Sequence, residues 1–439
     1  MVHTPISLEL VEKSIKNIGL QNFEHATIRE IVGLVNILEK ESGEKYIRME
    51  MGVPGLAAPE IGINAEISAL KRGVASDYPM VDGVSELKNE ASRFIKKFVG
   101  IDIKPESCIP TVGSMQGGYG LFLLCGNLDK NKDTALFIDP GFPVQKQQFN
   151  VLNLKYDSFD VYEFRGKKLE QKLEKYLSKG NINSIIYSNP NNPSWVCLTD
   201  EELRIIGKLA TKYDVIVIED LAYFAMDFRK NSYHPGKAPY QVSVSNYTDN
   251  YILMISASKA FSYAGQRIAV VAISDKIYNR SYPNLLNRFG AEKFGYTFVL
   301  RIIYALSSGV CHSAQYGMAA MLKAASDGNY DFIEDISEYA KKAKIMKKLF
   351  LDAGFKIVYD KDIDENIADG FYFTIAYENF NGAELLKELL CYGISAITLY
   401  DTGSTKNEGL RACVSQVKRE QFLDLEKRLQ IFKENHKNS

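Results

Sequence analysis

Two periodicities alternate along the first three hundred residues of this chain. Short apolar or β-branched runs fall at 108–112, 134–138, 182–188, 215–218, 251–255 and 268–273. Such runs lack the in–out alternation of a half-solvated strand and predict strands buried on both faces. Between them lie segments whose apolar positions recur every three or four residues, as at 28–38 and 85–98, the spacing of one helical face. Thr199 followed by Glu202 is a capping box that opens a helix running to about residue 213. The alternation predicts an α/β fold: a large domain with a mainly parallel sheet covered by helices. After about residue 309 the pattern changes. Long helical stretches at 313–325 and 331–353 precede a short strand at 370–375 and a helix at 383–390. A smaller α+β domain is expected there, joined by part of the N-terminal segment. The expected division is 1–60 as the N-terminal contribution to the small domain, 61–309 as the large domain and 310–439 as the small C-terminal domain.

The polar punctuation of this pattern falls repeatedly where strands end, the edge at which open α/β sheets bind ligands. The 108–112 run leads into Gly113-Ser114-Met115-Gln116-Gly117-Gly118, and beyond this small-residue turn 119–125 reads as the start of a buried helix. Strand, small-residue turn and helix start form a cup for a phosphate, because free N–H groups and the helix dipole both favour an anion. Asp139-Pro140-Gly141-Phe142-Pro143, Asn192-Pro193-Ser194-Trp195 and Asp220-Leu221-Ala222-Tyr223 end three more strands. The 251–255 run ends in Ser256-Ala257-Ser258-Lys259, with Arg267 eight residues beyond the lysine. Two uses for Lys259 stand side by side: a solvated lysine in a serine-rich turn, or a desolvated amine that forms a Schiff base with a carbonyl compound. Hydroxyls and a guanidinium nearby are phosphate ligands, and a carbonyl carrying a phosphate suggests pyridoxal 5'-phosphate.

Composition narrows the choice. The 439 residues are 46% hydrophobic and 24% charged with a formal net charge of −1, a balance that gives no field to recruit nucleic acid or an anionic membrane. Six scattered cysteines form no C-x-x-C pair and read as reduced thiols of a cytoplasmic protein. Five histidines form no H-x-x-x-H or H-E-x-x-H spacing, so no metal is expected. Residues 1–5 show no charged leader before a long apolar core, so no signal peptide is expected. No uncharged run is long enough to span a bilayer.

Taken in order, Gly113-Ser114-Met115-Gln116, Asp139 to Pro143, Asn192-Pro193, Asp220 to Tyr223, Ser256 to Lys259 and Gly265-Gln266-Arg267 make the chain resemble the class I/II aminotransferases. These are fold-type I pyridoxal-phosphate enzymes. The resemblance covers about residues 49–411. It implies that Lys259 bonds the cofactor's aldehyde and, once released by substrate, moves the proton at the substrate's Cα. Asp220 is implied to pair with the pyridine nitrogen, Asn192 and Tyr223 to hydrogen-bond the ring's phenolic oxygen, and Phe142 to stack on the ring. Ser114, Met115, Gln116, Ser256 and Arg267 are implied to hold the phosphate. Tyr78, in Tyr-x-x-x-x-Gly, resembles a tyrosine that reaches a partner subunit's phosphate, which implies a homodimer with shared active sites. Arg411 is implied to hold the substrate's α-carboxylate, with Gly52 and Asn192 beside it. The partners implied are an amino acid and a 2-oxo acid, exchanged in a ping-pong cycle.

Two positions depart from the family pattern. Trp195 stands where many relatives carry glycine, so either the turn differs or the ring fills a wall. Tyr263 stands where a smaller aliphatic residue or phenylalanine is usual. No counterpart of a second, dicarboxylate-reading arginine is evident; Arg288, Lys293 and Arg301 lie in the region and read as structural. The same framework also carries lyases of the C–S β-lyase type, the alternative activity. A ligand-sensing regulator would need a basic N-terminal DNA-binding module, and a nicotinamide dehydrogenase its glycine fingerprint; the chain shows neither.

Overall fold

A computed structural model describes residues 4–230 and 234–437. The reading of residues 1–5 therefore falls, for residues 1–3, outside the described part. The chain divides into two compact units. The larger comprises Leu56–Asn191 and Cys197–Ile336; the smaller comprises Met1–Gly55, Asn192–Val196 and Ser337–Ser439.

A seven-stranded sheet forms the larger unit's centre, in the order Cys108–Thr111, Ala269–Ile273, Tyr251–Ser256, Ile216–Asp220, Ile182–Ser188, Thr134–Asp139, Lys155–Asp160. Six strands run in one direction and Ala269–Ile273 alone runs against them. Helices cover the sheet, and Ile109, Phe137, Ile186, Ile218, Ile252 and Val271 meet them in the core. Burial on both sides is why the inner strands read as largely apolar runs, whereas the edge strand Lys155–Asp160 is polar and half-exposed. The capping box at Thr199 forms as the spacing predicts: the Thr199 hydroxyl accepts from Glu202 N–H, and Glu202 accepts from Thr199 N–H. Glu202 also takes Arg165, with Nε to Oε1 at 2.7 Å.

The helix after the first strand starts earlier than the pattern predicts. It runs Gly113–Cys125, so the small residues lie within it. They serve close packing rather than a turn: a Cβ on Gly117 would sit 2.7 Å from Val271 Cγ2. The helix His312–Ser326 also falls elsewhere than the pattern-based boundary at 309/310 suggests. It lies in the larger unit, where Gln315 Oε1 accepts from Val84 N–H at 2.8 Å and Ser313 donates to Glu66 at 3.0 Å.

The smaller unit holds a four-stranded antiparallel sheet, ordered Ile397–Thr398, Leu410–Cys413, Tyr372–Ala376, Lys356–Ile357. The N-terminal segment joins it as expected, because Ile47–Arg48 pairs in parallel with Ile394–Ser395. Helices Ile28–Ser42, Gly382–Cys391 and Phe422–Asn435 complete this α+β unit. Among the described residues no helix is long and apolar enough to cross a membrane.

Candidate active site

Strand register gathers the larger unit's chemistry at one sheet edge. Thr111 and Ser256 both pair with Ala269, on either side of the reversed strand. Gly113 and Ser114 therefore emerge roughly 10 Å from Ser256, two strand spacings away, and Arg267 enters between them. The guanidinium lies on Gly113: a Cβ there would be 2.6 Å from Arg267 Nη2, and Gly113 has φ +64°. Only glycine meets both demands. The helix Gly113–Cys125 has no side-chain cap, so its first N–H groups stay open to an anion. Ser114 Oγ is buried and has no hydrogen-bond partner. A buried hydroxyl without a partner is costly, and an anion's oxygen would satisfy it.

Two residues of this cup are already engaged. Gln116 Oε1 accepts from Val112 N–H at 2.8 Å, and its Nε2 donates to Ser307 at 2.6 Å. Its side chain shapes the helix entrance. Ser256 Oγ accepts from Ser258 N–H at 3.1 Å and keeps its own proton to donate. Met115 offers its backbone N–H while its carbonyl accepts from Gln148 at 2.9 Å.

One strand over from Ser256, Asp220 ends its strand opposite Met254 and Ser188. Its Oδ1 accepts from Ala222 N–H and its Oδ2 from Gln145 Nε2, both at 3.1 Å. Burial pushes its carboxyl up to about 6, against the pull of those two bonds. A buried carboxylate fixed by two donors is suited to face a cationic N–H. Lys259 sits half-buried on the single helical turn Ala257–Ala260, which follows directly from the neighbouring strand. Tyr223 is buried just beyond Asp220. Phe142 is half-buried at the start of the helix Pro143–Val151. The register thus brings Ser114, Met115, Phe142, Asp220, Tyr223, Ser256, Lys259 and Arg267 to one edge. An anion cup and a buried carboxylate along this edge fit the phosphate and ring nitrogen of pyridoxal phosphate.

The smaller unit carries Gly52, Asn192 and Arg411. Arg411 is 3% exposed. Its Nη1 donates to Asn192 Oδ1 at 3.3 Å, and its Nη2 donates to the Glu50 carbonyl. Nε is buried with no hydrogen-bond partner. The guanidinium lies over the Tyr372 ring, 4.6 Å from its centroid. Glu50 is itself buried, held by Arg48 Nε at 2.8 Å and Ser395 Oγ at 2.6 Å.

Trp195 answers one of the two departures. It adopts φ +65°, the left-handed conformation that glycine takes freely, so the turn is kept. The indole is fully buried and lies on Gly370, where a Cβ would meet Cε2 at 2.1 Å. Tyr263 is also buried, and its hydroxyl donates to Glu66 Oε2 at 2.5 Å. Arg288 donates to Asn127 at 3.0 Å and Arg301 lies over Tyr296, 5.3 Å from the centroid. Tyr78 is 90% exposed. Sequence reasoning missed Gln145, Glu50 and Tyr372. Gln145 had a usable signal, since it stands one helical turn after Phe142. The other two are visible only through tertiary partners.

Comparison with known proteins gives a family and a set of relatives. The family model "Aminotransferase class I and II" matches residues 45–428. A probable aspartate aminotransferase of Methanocaldococcus jannaschii is 25% identical over 416 residues, 94% of this chain and 98% of that protein. A glutamate-pyruvate aminotransferase of Escherichia coli is 25% identical over 335 residues, 75% of this chain and 74% of that one. Among solved structures, an alanine aminotransferase from Pyrococcus furiosus superposes with a TM-score of 0.74 at 20% identity, over 93% of this chain and 97% of that one. That last likeness concerns the fold.

Proposed function

The chain belongs to the class I and II aminotransferases, a pyridoxal-phosphate-dependent family, and on that premise we propose that its reaction runs on Lys259, Asp220 and Arg411. It is an enzyme that moves an amino group between an amino acid and a 2-oxo acid. The lyase alternative is not favoured, since the relatives it matches are named as aminotransferases. When bound, the cofactor supplies an aldehyde for attachment and a ring that withdraws electrons. Lys259 holds that attachment and afterwards carries the proton to and from the substrate's Cα. Asp220, oriented by Gln145 and Ala222, keeps the ring nitrogen protonated. Ser114, Met115, Ser256 and Arg267 grip the phosphate, with Gln116 holding the helix entrance. Phe142 covers the ring face, and Tyr223 with Asn192 steadies its phenolic oxygen. Arg411 takes the α-carboxylate through its remaining N–H groups, beside Gly52 and Asn192.

The observation that carries this reading is the uncapped helix start with its unpartnered Ser114 hydroxyl and the guanidinium packed on Gly113. It stands on the sheet edge that also bears Asp220 and Lys259. Purified protein given pyridoxal phosphate should absorb in the visible. Borohydride should then fix a pyridoxyl group on Lys259, and Lys259→Ala should abolish both signals. Labelling at another lysine would overturn the assignment.

The reading extends to a homodimer with shared active sites. Supporting it, Tyr78 and Met80 are 90% and 73% exposed, and Tyr296, Leu300 and Tyr304 follow at four-residue intervals with 45%, 38% and 57% exposure. Exposed apolar side chains at this density mark an association surface. Light scattering that showed an active monomer would refute it. The cysteines are free, the state kept by a reducing compartment, which supports a cytoplasmic location.

A further inference from the structure

The smaller unit contains a stack built on the guanidinium of Arg411, and two of its members, Trp195 and Tyr372, have no part in the reaction scheme. Its order follows from strand register. Arg411 pairs with Thr374, and Tyr372 pairs with Cys413, so Arg411 and Tyr372 are diagonal neighbours on one face of the sheet. That separation is within reach of an aromatic ring and a long side chain. The guanidinium lies 4.6 Å from the ring centroid of Tyr372. The Trp195 indole meets the same ring in a T-shaped contact, with centroids 6.0 Å apart at 70°. The indole is in turn pressed on Gly370. The Tyr372 hydroxyl lies so close to Gly52 that a Cβ there would be 2.0 Å away. Tyr372 is thereby packed by Trp195 at its ring and by Gly52 at its hydroxyl.

We propose that Tyr372, clamped by Trp195, Gly370 and Gly52, is a positioning residue for α-carboxylate recognition. It sets the plane in which Arg411 presents its free N–H groups. A guanidinium matches a carboxylate only when its fork is coplanar with both oxygens. Its two hydrogen bonds, to Asn192 and to the Glu50 carbonyl, tether the amino nitrogens, while Nε has no partner. The ring face supplies the missing constraint. Cation–π attraction favours the planar guanidinium staying over the ring in a buried site. Trp195 then has a purpose beyond filling space: it packs against the ring that carries the arginine. The ligand class is the α-carboxylate shared by amino donor and oxo-acid acceptor, so both halves of the cycle feel the stack. The proposal rests on Arg411 being the carboxylate-binding group.

Steady-state kinetics of the cofactor-loaded enzyme test it. Tyr372→Leu removes the π face; the expected result is a KM raised about tenfold for both amino acid and oxo acid, with kcat changed far less. Tyr372→Phe keeps the face and should restore KM to near its original value. A Tyr372→Leu enzyme with unaltered KM, or a Tyr372→Phe enzyme as impaired as Tyr372→Leu, overturns the proposal. Trp195 is the chain's single tryptophan, which gives a second readout on the unmodified protein. Propionate, a bare carboxylate, should change Trp195 emission saturably, and Arg411→Met should remove that response. Emission indifferent to saturating propionate overturns the proposal even if Tyr372→Leu fails to fold. If Arg411→Met leaves KM unchanged, the carboxylate role of Arg411 itself falls; if Arg411→Met raises KM and Tyr372→Leu does not, only the stack falls.

Discussion

Replacing Asp220 by asparagine should stabilise the cofactor-free protein while destroying the enzyme. The carboxyl is buried, and burial lifts it from an ordinary 3.8 to about 6. Each pKa unit corresponds to about 1.4 kcal/mol, so an ionised Asp220 costs the empty protein about 3 kcal/mol. The sign follows from proton binding. Between about pH 4 and pH 6 the folded protein holds a proton at Asp220 that the unfolded chain has released. Stability therefore falls as pH rises through that window, and the full cost is present above it. Asparagine is nearly isosteric and neutral throughout, so Asp220→Asn removes this pH dependence. Glu219, which burial pushes up to about 7, contributes equally to both proteins and cancels in the difference. Urea denaturation of both cofactor-free proteins at pH 4.5 and pH 8 measures it. The expected gain of the variant is small at the lower pH and about 3 kcal/mol at the higher, or roughly 3 °C in thermal midpoint for a chain of this length. Activity of the loaded variant should fall at least about 100-fold, the scale of losing a preorganised charge at the reacting group. Parallel pH–stability curves for the two proteins would show that Asp220 is not the strained carboxylate described here.

Three other outcomes follow from the same geometry. Gln145→Leu removes one of the two donors to Asp220, so its carboxyl should rise further and the acidic limb of the activity profile should move to higher pH; an unchanged profile would show that Gln145 does not orient it. Gly113→Ala places a Cβ 2.6 Å from Arg267 Nη2 at φ +64°, and should weaken cofactor affinity about tenfold or more by equilibrium dialysis, with wild-type retention as the contrary result. Trp195→Gly keeps the left-handed turn but vacates a fully buried ring, and should cost about 3–5 kcal/mol in urea denaturation; a loss under about 1 kcal/mol would show that the smaller unit closes over the gap.

Much of this architecture was legible in the chain because buried parallel strands leave a one-dimensional trace. The runs ending at Asp220 and Ser256 are apolar until their last residues and then abruptly polar, and the run ending at Ser188 is so from Ile185 on. Their register only had to bring those ends level. The helix Ser85–Phe98 was equally plain, since its apolar positions keep one face. What stayed hidden depends on partners far away in sequence. Gly117 and Gly118 look like a turn until Val271 is seen beside Gly117. Helix His312–Ser326 carries the same pattern whichever unit it joins, and only Gln315 and Ser313, meeting Val84 and Glu66, decide it. Tyr372 looks like any strand aromatic until Arg411 is found over its ring. Trp195 was recognisable as an anomaly, but its resolution lies at Gly370, 175 positions downstream.

The reversed strand Ala269–Ile273 has a consequence for how the protein gains and loses its cofactor. Because it returns beside Tyr251–Ser256, a single excursion of chain from Ser256 to Arg267 carries both the lysine that would bond the aldehyde and the arginine that would hold the phosphate. The covalent tether and the ionic one are then not independent safeguards. Fraying of that excursion would displace both at once, with the cofactor still bonded to its lysine, so a protease cut within it should loosen the covalent and the ionic hold on the site in a single step.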